Sequence, residues 1–370
     1  MIPSSVEAEL FDCLQVNLAA LAVRHHGDTA AHLLGSELVF RPKTGRGILP
    51  TVEPSLDEQL AAARRKLGLR VVDSAENPPV RNLLADDGPV FVVTDAYHLP
   101  WVPYHHCHHV EHSFLLEPSS AGACISDAYH NDTQWGSARP CQLEYSRPAL
   151  AALIDDLPRY VVVRFEPERL GPMPLPSVEL DRDEVETYIA SYCRFSDRKA
   201  ALQRFSLEVW LLLRARRLYM RYLVERNTTV ARAAREQLDR WADVVARVYL
   251  SYRRVYRDRP ELPGIFPLVQ NVLNEDFAAF SPRASVEDDG GIRATVRETV
   301  ASVLGVDGPL VESGALTDLA TFSSLRMVEI VERLESVFSV EFPPGSLLPE
   351  KLTHVSDLCE LVRATRPWSG

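Results

Sequence analysis

Residues 316–342 read LTDLATFSSLRMVEIVERLESVFSVEF, and this segment indicates the fold class of the C-terminal part of the chain. Its apolar residues recur at helical spacing, and acidic residues occupy another face. The apolar positions are Leu325, Val328, Val331, Leu334 and Phe338, and the acidic ones are Glu329, Glu332 and Glu335. Two serines, Ser323 and Ser324, stand where this helix is expected to begin. The pattern therefore predicts an amphipathic helix that starts at a serine.

This segment resembles the recognition helix of an acyl carrier protein, where a serine at the helix start receives a phosphopantetheine arm. The motif Ser-Leu-x-x-Val-Glu occupies residues 324–329. The resemblance implies a four-helix-bundle acyl carrier domain over residues 288–366, with 4′-phosphopantetheine attached covalently to Ser324. Because the preceding residue is Ser323 rather than the usual aspartate, Ser323 stays open as an alternative attachment residue. Implied partners are a phosphopantetheinyl transferase and an acyl-loading enzyme or separate carrier protein.

The chain of 370 residues is long enough for two or three domains. Short β-rich runs after a helical start predict an α+β domain with a largely antiparallel sheet over residues 1–170. The segment 171–177 is rich in Pro and Gly and predicts a break, and residues 178–278 predict an all-α helical region. The acidic segment 280–291 is expected to be a flexible linker to the carrier domain.

Capping residues mark the two N-terminal helices. Asp12 is expected to cap a helix that runs from Cys13 to about His26, and Ser55 opens a second helix that ends at Gly68. Glu58 lies three residues after Ser55, which is the spacing of a capping box. Strands are predicted at 69–73, 89–95, 110–117, 122–129 and 158–166.

Composition indicates a soluble, cytoplasmic protein. Hydrophobic residues make up 46% of the chain, yet no apolar run approaches the length of a membrane span, and the acidic N-terminus lacks a secretion signal. The six cysteines show no paired spacing, which suits reduced thiols. We therefore expect no membrane partner.

The net charge of −11 is distributed unevenly. Residues 194–259 hold 17 Lys and Arg against 7 Asp and Glu, whereas residues 285–364 hold 14 acidic against 6 basic residues. An acidic carrier is a nearer electrostatic partner for the basic section than nucleic acid, which is not expected to bind. The group Arg216, Arg217 and Arg221 is expected to be solvated or to contact a carrier.

The first domain has a candidate catalytic triad. Cys13 is expected in the first turn of its helix, where backbone N–H groups and the helix dipole would lower the thiol pKa from about 8.5. A thiolate is suited to attacking a thioester. His112 and Asp127 fall on neighbouring predicted strands, so the carboxylate can fix the tautomer of an imidazole base.

The order Cys, His, Asp is that of papain-like folds, and residues 1–170 resemble the N-terminal domain of the butirosin-type aminoglycoside acyltransferases. The matching features are Asp12-Cys13, Gly35, the run FVVTDAYHLPW at 91–101, and His112 and Asp127. The resemblance implies a papain-like cysteine acyltransferase of antibiotic biosynthesis that moves an acyl group from a carrier to a small-molecule amine. Cys13 would be the nucleophile, His112 the general base and acid, and Asp127 the residue that orients it.

The match has two departures. No glutamine stands a few residues before Cys13 to complete an oxyanion hole, which leaves the backbone N–H of Cys13 to act alone. Glu111 occupies the position before His112 where a glycine is expected. The same triad could serve a thioesterase or a peptidase, because water and amines are both acceptors. A non-catalytic carrier scaffold, with Cys13 as a core residue, is a further alternative.

The cluster YHHCHHVEH at 104–112 contains His108-x-x-Glu111-His112, formally an inverted zinc-protease motif, with Cys107 nearby. That motif needs a helix to place both histidines on one face, but here it lies between Pro103 and a strand-like run. We therefore expect no catalytic metal, and interpret the segment as a polar, aromatic-rich loop at the rim of the cleft, with Trp101 and Tyr104 as walls.

Overall fold

The computed structural model describes residues 2–44, 49–84, 88–226, 232–281, 289–306, 314–338, 340–347 and 352–365. They group into two units, one of residues 1–227 with 238–277 and one of residues 228–237 with 278–370. Most of the predicted linker at 280–291 lies outside the described residues. No helix in the described ranges is both long and apolar enough to cross a membrane.

Twelve strands occur in the described part of the first unit. They are β1 (Glu37–Phe40), β2 (Lys43–Thr44), β3 (Pro50–Thr51), β4 (Leu69–Glu76), β5 (Val90–Asp95), β6 (Glu111–Ser119), β7 (Gly122–Asp127), β8 (Asn131–Thr133), β9 (Gly136–Ala138), β10 (Cys141–Tyr145), β11 (Tyr160–Pro167) and β12 (Ser177–Leu180). Six of them form one antiparallel sheet with the order β10-β7-β6-β5-β11-β4. The predicted antiparallel sheet and its five predicted strands are thereby confirmed.

The remaining strands form three two-stranded sheets that the sequence did not predict. Strands β2 and β3 pair antiparallel, as do β8 and β9, whereas β1 pairs parallel with β12. The predicted break at 171–177 therefore ends at the start of a strand. Within this break, the carbonyl oxygen of Pro174 accepts a hydrogen bond from the Tyr222 hydroxyl.

Eleven α-helices are described. They are α1 (Gln15–His26), α2 (Leu56–Leu67), α3 (Val80–Leu83), α4 (Arg147–Asp155), α5 (Arg182–Arg194), α6 (Arg198–Glu225), α7 (Arg232–Tyr256), α8 (Ile265–Phe280), α9 (Asp289–Leu304), α10 (Ser324–Phe338) and α11 (Val355–Thr365). The capping box of α2 is confirmed, since Ser55 and Glu58 exchange side-chain and backbone hydrogen bonds. Gly68 ends this helix in the left-handed conformation, with φ of 62°.

Helices α5 to α8 confirm the helical prediction for the middle of the chain, except at its start, where residues 178–180 belong to strand β12 instead of a helix. Their hydrophobic cluster includes Trp241, fully buried in α7, and its indole N–H donates to Asp276 at 2.8 Å. Asp276 also forms a buried ion pair with Arg216, and Arg221 pairs with Glu7. The prediction that Arg216 is solvated or contacts a carrier is therefore wrong, because its charge is satisfied inside the helical region.

In the second unit, helices α9, α10 and α11 form a separate core to which the short 3-10 helix Leu316–Asp318 contributes Leu316. A second short 3-10 helix, Pro344–Ser346, contributes no buried residue. The predicted apolar face of α10 is partly wrong. Leu325 is 79% exposed and Val328 is 52% exposed. The buried residues are instead Met327, Ile330, Val331 and Leu334. This set has the i, i+3, i+4, i+7 spacing of a core-facing stripe, so the helix presents Leu325 and Val328 to solvent.

Candidate functional site

Cys13 lies in a tight turn immediately before α1, whose first helical residue is Gln15. One carboxylate oxygen of Asp12 accepts hydrogen bonds from the backbone N–H groups of Leu14, at 2.9 Å, and Gln15, at 2.7 Å. The other accepts one from the side chain of Gln59 in α2, at 2.9 Å. Asp12 thus accepts backbone N–H groups at the helix start as predicted, but the predicted start at Cys13 is wrong, because the helix begins at Gln15 with Leu14 as its N-cap residue. The Asp12 carboxylate instead fixes the turn that carries the half-buried Cys13.

His112 and Asp127 meet in the interior of the sheet. His112 begins the buried part of β6, Asp127 ends β7, and the distance from Nε2 of the imidazole to Oδ2 of the carboxylate is 2.7 Å. Oδ2 also accepts from the indole of Trp101 at 2.9 Å, and Oδ1 accepts from the backbone N–H of Tyr129 at 3.0 Å. Nδ1 of His112 is buried and has no hydrogen-bond partner among the described residues.

The turn of Cys13 contacts β6 on both sides of His112. The thiol donates to the backbone carbonyl of Glu111 at 3.2 Å, and the hydroxyl of Ser113 donates to the carbonyl of Cys13 at 2.7 Å. The three residues predicted as a triad therefore lie in one place, although they come from a loop and two strands. Across the site, the ring of Tyr129 packs edge-on against His112 with centroids 5.2 Å apart.

The electrostatics differ from the prediction at Cys13. Burial raises the pKa of its thiol well above the usual value, and the charge of Asp12, followed by those of Glu53, Asp127 and Glu111, raises it further. The expected lowering of this pKa by the helix start is thus wrong, since burial and the neighbouring carboxylates all raise it. The thiol is protonated at neutral pH and needs a base to react.

At Asp127, burial and the neighbouring groups act on the pKa in opposite directions, and the net result is a lowered pKa. Burial favours the neutral acid, but the charge of His112 and its hydrogen bond, together with those from Tyr129 and Trp101, hold the net pKa of this carboxyl below its usual value. Asp127 is therefore an anion beside the imidazole. Such an anion favours the tautomer with a proton on Nε2 and leaves Nδ1 as the acceptor.

Arg214 of α6 is a residue at this site that the sequence analysis missed. Its buried guanidinium donates to the backbone carbonyl of Phe11 and, at 2.9 Å, to that of His130, and it stacks on Trp210 at 4.1 Å. Burial lowers its pKa, an effect opposed by Tyr129, Asp12 and Cys13. It ties the segment before Cys13 to the segment after Asp127. An arginine directly after the apolar run at 209–213 was the available signal.

Cys107 and His108 of the histidine-rich loop line a cleft of about 430 Å³ together with residues from other segments. The predicted walls Trp101 and Tyr104 are not among its lining residues. His108 stacks on Trp135 there, with centroids 4.8 Å apart, and Trp135 also contacts the ring of Tyr104. Nε2 of His112 is instead hydrogen-bonded to Asp127. The two histidines of the zinc-protease-like motif therefore contact different partners. No group of three or more potential metal-ligating side chains occurs within the described ranges.

The candidate carrier serine lies at the start of α10. Ser323 is the residue before the helix, and its hydroxyl accepts the backbone N–H of Arg326 at 3.3 Å. Ser324 is the first helical residue and is exposed. Both serines are exposed, but they differ in role, because the hydroxyl of Ser323 caps the helix, whereas Ser324 is its first residue and precedes the exposed Leu325.

Comparison with protein families finds a match at residues 294–362 to the family described as "Phosphopantetheine attachment site". The chain thus contains a phosphopantetheine carrier domain, which holds 4′-phosphopantetheine covalently on a serine. The exposed Ser324 at a helix start fits that group. A carrier domain implies a phosphopantetheinyl transferase and acyl-loading partners in general. No curated protein matches the chain.

Proposed function

We propose that this chain is an acyltransferase with a papain-like N-terminal domain, which moves a carrier-bound acyl group through Cys13 to an amine. The observation that supports it most directly is the contact of the Cys13 turn with both neighbours of His112, whose Nε2 is hydrogen-bonded to Asp127. The carrier domain on the same chain supports thioesters as the donors. A setting in natural-product biosynthesis is part of this proposal.

In the first step, Nδ1 of His112 accepts the proton of the Cys13 thiol, and the sulfur attacks the carbonyl carbon of the thioester donor. The bond from that carbon to the donor sulfur breaks, and the departing thiolate takes the proton from His112. Asp127 stabilises the imidazolium while it exists and holds the ring in place. The raised pKa of the Cys13 thiol makes this base necessary.

In the second step, the amine nitrogen attacks the acyl carbon on Cys13. His112 accepts a proton from the attacking nitrogen and returns one to the sulfur as the carbon–sulfur bond breaks, which gives an amide and the free thiol. Because exchange of one thioester for another is close to energy-neutral, formation of the more stable amide drives the sequence. Water in place of the amine would give a free acid, as in a thioesterase.

We propose Ser324 as the attachment residue, because both serines are exposed but only the hydroxyl of Ser323 is engaged in capping the helix. When bound there, the phosphopantetheine arm supplies a terminal thiol on which an acyl group is carried as a thioester. The chain's own residues provide the helix start that presents this serine and the exposed Leu325 and Val328 beside it. These two side chains give a carrier-modifying or acyl-loading partner an apolar surface to contact.

The test is the Cys13→Ala variant, with Cys193→Ala as a matched control because Cys193 is an exposed cysteine outside the site. Both proteins are supplied with an acylated carrier and a panel of amines, and amide and free acid are quantified by mass spectrometry. We expect amide formation to be lost in Cys13→Ala and kept in the control. Full activity of Cys13→Ala would sink the mechanism, and undiminished release of free acid in the presence of amines would assign a hydrolase.

A further inference from the structure

A fully buried polar side chain, Asn17, lies one turn after Cys13 in an otherwise apolar part of α1. Its amide nitrogen donates to the backbone carbonyl of Ser113 at 2.8 Å and to the Ser113 hydroxyl at 3.2 Å. Its amide oxygen accepts the backbone N–H of Ala128 at 3.0 Å. Both ends of the carboxamide are therefore satisfied without water, which a buried amide requires.

The partners of Asn17 follow the candidate catalytic pair directly in the chain. Ser113 comes after His112 and Ala128 comes after Asp127. The Ser113 hydroxyl also donates to the carbonyl of Cys13 at 2.7 Å, which closes a network from the Cys13 turn to both strands. One side chain thus joins the three segments that carry the nucleophile, the base and the orienting carboxylate.

Packing alone gives no reason for an asparagine here. The neighbours Val16, Leu18 and Ala20 of α1 are buried and apolar, and a leucine at the same position would bury its surface without the cost of desolvating an amide. A side chain with a donor and an acceptor at opposite ends can link two strands at a fixed separation, which a leucine cannot. The position of the amide is thus explained by geometry rather than by burial of apolar surface.

We propose that Asn17 is a positioning residue that holds the Cys13 turn against β6 and β7, beside His112. This inference rests on the proposed function. In the proposed reaction the proton acceptor is Nδ1 of His112, which is buried and has no hydrogen-bond partner among the described residues. Small displacements matter at such a contact, because misplacing reacting groups by about 1 Å can cost roughly 100-fold in rate.

The experiment measures how fast iodoacetamide alkylates Cys13 in the full chain, from pH 6 to pH 9, by quantitative peptide mapping. The background carries Cys107→Ser and Cys193→Ser, which remove the two exposed thiols. His112→Ala defines the part of the pH profile that depends on the base, and we expect it to lower the rate at pH 7 by at least about 10-fold. Asn17→Leu should lower it to the same level, and the double variant should lower it no further.

Ser113→Ala keeps the backbone contacts and removes only the hydroxyl, so it should give an intermediate loss even if Asn17→Leu fails to fold. The control is Ser251→Ala, which deletes a buried hydroxyl that accepts the Leu262 N–H at 3.0 Å in the helical region. It should lower the melting temperature and leave the alkylation profile unchanged.

The outcomes separate the two proposals. If His112→Ala slows alkylation but both Asn17→Leu and Ser113→Ala keep the full profile, Asn17 is not a positioning residue and the proposed function stands. If His112→Ala leaves alkylation unchanged, His112 is not the base for Cys13, and the proposed function and the role of Asn17 are overturned together.

Discussion

The hydrogen-bonded pair of His112 and Asp127 is both the candidate catalytic pair and a structural element of the sheet. Both side chains are shielded from solvent, with exposures of 0% and 2%. Three hydrogen bonds reach the Asp127 carboxylate, from His112, Trp101 and Tyr129. Removing one member of a buried pair leaves the other buried without its hydrogen-bonding partner. This loss destabilises the fold by more than the intact pair stabilises it. Substitutions here should therefore be assayed for stability as well as for activity.

Replacing Asp127 with Asn should lower the free energy of unfolding at pH 7 by roughly 1–3 kcal/mol, because a charged acceptor is lost at an unchanged volume. The pKa of Asp127 is lowered in the folded state. Its carboxylate therefore stabilises the fold above the unfolded value of about 3.9, and this stabilisation is lost as the pH falls through the folded pKa. The difference in the free energy of unfolding between wild type and Asp127→Asn should therefore decrease below about pH 4.

Urea unfolding of wild type and Asp127→Asn at pH 7, 5 and 3.5 measures this difference in the free energy of unfolding. The control is Asp132→Asn, since the pKa of Asp132 is also lowered, by the Ser137 hydroxyl and Arg139, but its side chain is exposed. We expect the control to unfold like the wild type at each pH. A difference for Asp127→Asn that stays constant over this range would contradict the assignment of a buried, ionised carboxylate.

At the scale of elements, the 3-10 helix Asp28–Ser36 packs closely against α6 through Gly35. A Cβ atom at Gly35 would lie 2.3 Å from the backbone oxygen of Leu218. Because the obstacle is backbone rather than a mobile side chain, Gly35→Ala must push the two helices apart. Overpacking of this kind typically costs about 1–3 kcal/mol, so the melting temperature should fall.

The matched control for Gly35→Ala is Gly171→Ala, where an added Cβ meets no atom within 4 Å. Thermal unfolding of both variants by circular dichroism decides the point. We expect the melting temperature to be clearly lower than that of the wild type for Gly35→Ala and unchanged for Gly171→Ala. Equal melting temperatures for the two variants would show that the helices do not approach as closely as described.

Local sequence signals predicted those elements whose cause is itself local. The capping box at Ser55, the Gly68 stop and the β-rich runs of the sheet depend on neighbouring residues, and all were predicted. Strands β1 and β12 pair in parallel although they are far apart in the chain, so no local sequence pattern could predict this pairing. The face of α10 was misassigned because the exposed Leu325 and Val328 also have helical spacing, beside the stripe that forms the core.

The site was predicted to the extent that residue type and strand order decide it. Sequence order could place His112 and Asp127 on adjacent strands, and the structure brings them to 2.7 Å. The raised pKa of the Cys13 thiol could not be predicted, because Glu53 and Glu111 come near it only through tertiary structure. Asn17 was missed for the same reason, since its partners Ser113 and Ala128 are distant in sequence.

At the scale of the whole molecule, the candidate catalytic residues and the proposed attachment serine belong to different units. Cys13, His112 and Asp127 lie in the first unit, whereas Ser324 lies in the second with its own hydrophobic core. A substitution in one unit should therefore leave the chemistry of the other intact. This separation allows modification of the carrier to be tested without any knowledge of the acyl group or of the amine.

Incubation with coenzyme A and a broad-specificity phosphopantetheinyl transferase should add one phosphopantetheine to Ser324, detected by intact mass and peptide mapping. Ser324→Ala should abolish the addition. Ser323→Ala should keep it while weakening α10 by about 1 kcal/mol, since its hydroxyl caps the helix. Cys13→Ala should load like the wild type, because Cys13 lies in the other unit. Modification mapped to Ser323, or none in a folded protein, would contradict Ser324 as the attachment residue. Loading of Cys13→Ala together with loss of its amide formation would separate the carrier step from the transfer step in a single variant.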